Sequence, residues 1–342
     1  MKHKLEPYKL MMVLIMLMLL VLVCLSVVGE VKLPLFAILK GNYYGLTDKL
    51  NLDIYFYLKL PTILSILFLG LGLGASGCVM QGLMQNPLAD PTILGVSSSA
   101  SFFALLGLII LPSGFMAIKS INILMVLGSF FGAILVMTIL IFFSKVIQNG
   151  RIVGVLLAGV ALGAMFGALT IMAMNFMSII QLKASIAWMF GSVSEITWQG
   201  FYVILITFSF GILVLYQLHR KLDILILGFQ EAEISGVSVQ NVLLVSILGV
   251  SVIISGSVAI VGPIGFVGLV SPHIAREISG GKHKFLIINS ALVAGNIMLI
   301  AELISKNIYP PYIIPLSAIT AIMGGPFFLW LLWKYYKKSE YK

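Results

Sequence analysis

The sequence predicts an all-α, polytopic integral membrane protein with about ten transmembrane helices. Three observations carry that reading. Of 342 residues, 60% are hydrophobic and 10% charged, with a mean hydropathy of +1.12, where an ordinary soluble chain carries about 25% charged residues. Charge-free runs recur along the chain, each close to the roughly 20 apolar residues that cross a bilayer as a helix. Two places between such runs hold clusters of Pro, Gly and polar residues that a helix interior does not accommodate.

The first apolar run, about 10–29, follows Lys2, Lys4 and Lys9 and so imitates a signal peptide. It has the length of a full span and no clean small-x-small cleavage site after it, which makes it a retained first helix. Runs at about 60–83, 92–111, 118–144, 152–174, 196–218, 240–261, 285–304 and 314–333 supply the other long spans. Shorter elements at about 184–194 and 264–276 do not span comfortably, and a short helix is expected to complete the tenth crossing. No charged, Ser-rich or Gly-rich linker divides the chain, so residues 1–342 read as a single transmembrane domain. Gly70, Gly74 and Gly77 on the second span, and Gly159, Gly163 and Gly167 on the fifth, form the small-residue stripes that let helix backbones approach. Plain packing is expected of the second span. On the fifth, packing within the subunit is the plain reading.

The net charge of +9 raises the question of a polyanionic partner, and its distribution answers it. With a cytoplasmic N-terminus and alternating spans, the inside carries Lys2, Lys4, Lys9, Lys145, Arg151, Arg220, Lys221, Arg276, Lys282, Lys284, Lys334, Lys337, Lys338 and Lys342. The outside carries only Lys32, Lys40, Lys49, Lys59, Lys119, Lys183 and Lys306, and no Arg. This positive-inside pattern accounts for the charge without nucleic acid and places both termini in the cytoplasm of a multi-pass cell-membrane protein.

Chemistry is sparse. Cys24 and Cys78 lie in apolar spans and build neither a disulfide framework nor a zinc site. His3, His219, His273 and His283 are scattered on the cytoplasmic side, so no nucleophile and base come together. The 17 Met residues lack clustered spacing and read as packing. No catalytic residue, metal ligand or bound cofactor is expected. The Gly-x-x-x-x-Gly-Lys-Ser/Thr phosphate loop is missing, so ATP-driven work would need another polypeptide. An ionisable residue deep in a span, the mark of ion-coupled transport, is not found, since Glu302 lies near a span end. No inverted repeat is evident by eye.

The two interruptions are the informative segments. Gln81 to Val96 contains Asn86, Pro87, Asp90 and Pro91 between two charge-free runs. Non-helical backbone there requires cover from protein or a water-filled cavity. Val261 to Arg276 sets Gly262, Gly265 and Gly268 at three-residue spacing alongside Pro263 and Pro272, the pattern of a short broken helix. His273 next to Pro272 reads as a satisfied structural histidine, with a titrating switch as the alternative. The largest cytoplasmic loop, about 219–239, is too short and charged to span. Gly228 and Gly236 bracket one or two short helices there, glycine being favoured where a helix stops.

The chain resembles the permease subunits of the iron-siderophore, haem and cobalamin ABC importers. The resemblance covers about residues 55 to 333. It rests on Gln81 to Val96, on Gly262-Pro263-Ile264-Gly265-Phe266-Val267-Gly268-Leu269, and on Pro272-His273 with Arg276. Shorter matches are Leu156 to Leu162, Trp188 to Ser192 and Thr320 to Phe328. It implies the fold of a type II importer permease, an ABC ATPase subunit dimer carrying ATP-Mg, a second permease subunit of the same or a related sequence, and an extracytoplasmic substrate-binding protein. The cargo implied is an iron complex, foremost a ferric siderophore, with haem and cobalamin as alternatives. An ion-coupled secondary transporter and a membrane scaffold are the readings outside the family.

The resemblance also distributes roles. Leu227, Gly228, Glu231, Ala232, Glu233 and Gly236 match a coupling segment that plugs into the ATPase, against the plainer reading of a helix lying on the membrane. Glu233 stands where the family often has Arg. The fifth span would border the pathway between two permeases. Lys59 and Lys306 occupy positions of arginines that receive glutamates from the binding protein, while Thr62 replaces a third cation. Lysine lacks the bidentate fork, so the docking contact expected is weaker and more salt-sensitive. The plainer reading is that both lysines anchor helix ends, and Glu302, four residues before Lys306, is placed to pair with it. Ile313 and Ser317 depart from the Glu-Leu-Pro-x-Gly pattern at the start of the last helix.

Overall fold

The computed structural model describes residues 5–28, 50, 52–87, 89–110, 123–146, 152–191, 196–309 and 312–339. Leu88 and Ser192 of the matched motifs, and Lys2, Lys4, Lys32, Lys40, Lys49, Lys119, Arg151 and Lys342 of the charge pattern, lie outside them.

The described residues form thirteen helices and no strand. Helix α1 is Pro7–Val27, and α2, Leu60–Leu83, follows a π-helical turn at Tyr55–Lys59. After a 3-10 turn at Pro91–Leu94 come α3, Val96–Ile110, α4, Ile123–Val146, α5, Ile152–Met174, and the short α6, Ile179–Met189. Helix α7 is Trp198–Tyr216, and α8, His219–Leu225, and α9, Phe229–Ile234, are the two short helices of the expected loop. The chain ends with α10, Val239–Val261, α11, Val267–Ser279, α12, His283–Asn307, and α13, Leu316–Ser339. Seven described helices are long and apolar enough to cross a membrane. With α3, α11 and α13 the bundle holds ten, in agreement with the expected architecture.

Helix α2 is the buried axis. Gly70 lies on the backbone of Ala294 and Gly295, Gly74 on Ser290, and Gly82 on the His283 ring, so α12 runs antiparallel against it. Lipid tails are as apolar as the helices, so contact between them is favoured by close packing, which these glycines permit. The expectation of plain packing for the second span is met. Asn296 and Asn289 of α12 donate to Leu14 O and Pro7 O, holding α1 to the outside of the bundle.

These contacts place the start of α1, the end of α2, the α8–α9 segment, the start of α12 and the run of α13 away from Ser305 at one end, here the terminal end. Lys59, Trp198, Lys306 and Leu316 lie at the far end, where Trp198 donates to Phe56 O and Ile314 N–H to Ser305 O.

The sequence showed no inverted repeat, and here the structure corrects it. Helices α2 to α5 run as long helix, broken segment, short helix and two returning helices, and α10 to α13 repeat that order in the opposite sense. Helices α3 and α11, at 15 and 13 residues, are about 22 and 20 Å long, too short for a hydrocarbon core of about 30 Å. Each begins at mid-depth after a break, and they point to opposite ends. The repeat lies in topology, while the residues that make the two breaks differ, so reading letters does not find it.

Candidate functional site

The two broken segments meet beside the C-terminal half of α2, from Leu73 to Gln81. In the first, the Asn86 backbone N–H donates to Gln81 O and Ala89 N–H to Asn86 O, turning the chain back into the bundle. Asp90 caps the 3-10 turn, its Oδ1 accepting from Thr92 N–H at 2.7 Å and Thr92 Oγ1 at 2.6 Å. Pro91 opens that turn and Gly95 closes it at φ 72°, where a β-carbon would strike Gly159 O at 2.7 Å. In the second segment Gly262 turns under Trp188 O at φ 87°, and Phe266 starts α11 at φ 68° with Gly324 of α13 packed on its ring.

Pro272 lies inside α11, within the short element expected at about 264–276. Having no N–H, it leaves the Gly268 carbonyl without its helical donor. That carbonyl faces Gly77 of α2, where a β-carbon would sit 1.8 Å from the oxygen. Pro91 closes on Gly268 from the other side, and Gln81 Nε2 donates to Leu269 O at 3.0 Å. Asp90, Pro91, Gly95, Gly77, Gly268 and Pro272 thus form one crossing, with the exposed backbone that a break creates covered by protein. A β-carbon at Gly265 would meet no described atom within 4 Å beyond its chain neighbours, so Gly265 is not part of it. Pro263 stands in the non-helical stretch before α11, and His273 is buried, edge-on to Phe327 and 3.6 Å from Glu277.

The α8–α9 segment has an inner and an outer surface. Leu222, Leu225 and Ala232 are fully buried against the bundle, so Ala232 is a packing residue rather than a contact for another subunit. Leu227 and Ile234 are 70% and 86% exposed, and Glu231 and Glu233 are exposed beside them. Gly228 at φ 129° and Gly236 at φ 82° make the turns that end α8 and α9, as the sequence predicts. The exposed Leu227 and Ile234, rimmed by the two carboxylates, lie at the end of the bundle rather than along its sides.

At the far end Lys59 Nζ donates to Val28 O at 2.9 Å and Ser26 O at 3.3 Å, the last carbonyls of α1. Lys306 pairs with Glu302 at 2.5 Å, and Glu302 is wholly buried. Each lysine therefore has a partner within the chain. On the fifth span, Gly163 packs on Gly95, as Gly159 does, while a β-carbon at Gly167 would meet no described atom of another element within 4 Å. The stripe divides into a packed part and an open part.

The FecCD transport family pattern matches residues 15–334. The chain belongs to this family. Among curated FecCD relatives, a hemin transport system permease protein of Yersinia pestis is 34% identical over 283 residues, covering 82% of this chain and 83% of the relative. The ferric dicitrate transport system permease protein FecD of Escherichia coli is 33% identical over 277 residues, covering 80% and 83%. A solved chain assigned to a metal-chelate type ABC transporter, in an inward-facing conformation, superposes with a TM-score of 0.83 at 26% identity, covering 95% of this chain and 99% of its own. The architecture is that of an ABC importer permease.

In this FecCD chain the departures have local explanations. Thr62 is buried, donates to Leu58 O at 2.7 Å and accepts from Ile196 N–H, so the position is closed to the surface. Ser317 Oγ donates to Phe190 O at 2.6 Å, linking α13 to the end of α6, while Ile313 is exposed. Sequence reasoning missed Gly77 and Gly95 as parts of the crossing, Gly324 as the packing partner of Phe266, and Asp223, Gln85 and Ile234 at the terminal end. Their partners are far away along the chain, and local pattern carries no sign of them.

Proposed function

We propose that this chain is the membrane-spanning permease subunit of an ATP-driven importer of an iron complex, foremost a ferric siderophore. What supports the reading most is the FecCD match over residues 15–334, which includes both broken segments and the α8–α9 segment. The names of the two curated relatives share iron rather than one ligand, hemin in one and ferric dicitrate in the other. The chain would form the pathway with a second permease subunit, a copy or a relative. An extracytoplasmic binding protein would deliver the cargo, and an ABC ATPase dimer holding ATP-Mg would supply the work. The excess of Lys and Arg at the terminal end supports placing α8–α9 and both termini in the cytoplasm.

In this scheme Leu227, Ile234, Glu231 and Glu233 enter a cleft of the ATPase. The crossing at Gly77, Gly268 and Pro91 is the pivot about which the two short helices are held as the cavity opens to one side and then the other. Lys59 is the better docking cation, because Lys306 is engaged by the buried Glu302.

The test is uptake of labelled ferric hydroxamate, ferric catecholate, ferric citrate, haem and cobalamin in cells lacking this gene, with and without its return. Loss and rescue of one iron complex assigns the cargo. Rescue of haem or cobalamin alone moves the cargo to that alternative. Unchanged uptake of all five, with no redundant permease, removes the importer reading.

A further inference from the structure

Helix α12 begins without a cap of its own. Lys282, the residue before its first turn, makes no side-chain capping bond. The cap comes instead from α8, 60 residues earlier in the chain. Asp223 Oδ1 accepts the His283 backbone N–H at 2.9 Å and lies 2.7 Å from His283 Nδ1. A carboxylate at a helix start satisfies one of the orphan N–H groups and complements the helix dipole. The His283 ring is buried and lies against Gly82 of α2, where a β-carbon would come within 2.5 Å of Nε2. Two residues on, Leu225 O accepts a hydrogen bond from the Gln85 side-chain amide. Gln85 holds a left-handed backbone, φ 50°, at the head of the first broken segment.

Helix α8 is thus fastened by two polar contacts on its inner side. One leads through α12 and its short turn to α11, the helix of the second broken segment. The other leads into the first. On its outer side the same segment presents Leu227 and Ile234.

We propose that Asp223 and His283 form the latch that carries movement of the α8–α9 segment to the α11–α12 hairpin, with Gln85 as its counterpart toward the first broken segment. This rests on the reading of α8–α9 as the contact with an ATPase. Asp223, His283 and Gln85 are positioning residues in the sense that they touch neither cargo nor nucleotide. Helix α8 is only seven residues long, from His219 to Leu225, and Leu222 and Leu225 anchor it to the bundle by apolar contact alone. Apolar contact is non-directional and would let the segment slide. A two-point polar contact on one carboxylate oxygen sets its direction as well as its distance.

The test uses the assembled permease–ATPase complex in proteoliposomes, with Cys24→Ser and Cys78→Ala as background. A cysteine placed at Gly281, in the α11–α12 turn where added atoms meet no described neighbour within 4 Å, reports on the hairpin through its rate of maleimide labelling. Vanadate trapping of ADP after ATP hydrolysis should change that rate by about five-fold or more, the lower range of ordinary coupling between sites. With Asp223→Ala the change should vanish while vanadate trapping persists. Gly82→Ala, which displaces the His283 ring without touching the hydrogen-bonding atoms, should reduce it too. Asp223→Asn keeps an acceptor oxygen without the charge and should fall between, and it carries the test if the alanine variant does not accumulate. A cap with a purely structural role would lower protein yield and leave the labelling response intact, which would overturn the latch. An undiminished response in all three variants, or none in the parent although vanadate is trapped, would overturn it too. Failure of the parent to associate with its ATPase would instead remove the coupling reading on which it rests.

Discussion

The first broken segment is polar and holds itself, whereas the second is almost apolar and is held by its neighbours. Asp90 caps its own turn through two hydrogen bonds to Thr92, and Gln85 and Asn86 tie the approach to it. The second segment, Gly262 to Phe266, has no side-chain cap on the helix it starts. Its shape comes from Trp188 over Gly262, Gly324 against Phe266 and Gly77 against the Gly268 carbonyl. Among the described residues only Gln85 and Phe266 are non-glycine residues with positive φ, one in each break. Both segments solve the same problem, a chain reversal at membrane depth with covered backbone. One does so with local hydrogen bonds, the other with close backbone approach, and their tolerance to substitution should differ accordingly.

The largest effect is expected where the second segment depends on its neighbour. Gly77→Ala puts a methyl group against a backbone oxygen that cannot move without shifting α11. A loss at or above the usual overpacking cost of about 1–3 kcal/mol is expected, seen as poor accumulation and a lowered Tm in detergent. An unchanged Tm would show that the approach of α2 and α11 is looser than 1.8 Å implies. Next comes Asp90→Ala, which removes the cap of the first segment and should cost about 1 kcal/mol. Asp90→Asn should recover most of it. Equal Tm values for the alanine and asparagine variants would show that packing of Pro91, rather than the cap, holds this break as well. The smallest effect is expected for Gly265→Ala, within about 0.5 kcal/mol. Gly265 lies outside the left-handed region and meets open space, so its glycine is not needed for close approach. A large loss there would bring the two segments' rules together again.

The first segment was legible because its signals are local. Asn86, Pro87, Asp90 and Pro91 announce a break and an Asx cap within a few residues. The second was legible only in part: Gly262 and Gly268 proved necessary at close contacts, but Gly265 has the same letter and no such neighbour. Pro272 was placed within the short element, but a proline's unpaired helical carbonyl is four residues back, and whether that carbonyl finds cover depends on α2. Lys306 illustrates the same limit at the far end. Spacing placed Glu302 beside it, but only the packing makes Glu302 wholly buried and therefore bound to its lysine.

Composition alone determined that this chain is a helical membrane protein, because a lipid-embedded backbone must satisfy its hydrogen bonds internally and a helix does so residue by residue. Charge placement, the two breaks and the short helices at 219–239 followed from local chemistry. The inverted order of the two halves, the meeting of Gly77 with Gly268 and the capping of α12 by Asp223 were decided by tertiary structure. In each case two groups remote in sequence share a few ångströms, and which glycine meets a carbonyl, or which carboxylate meets a helix start, is settled by how the helices stack rather than by any residue's own preference.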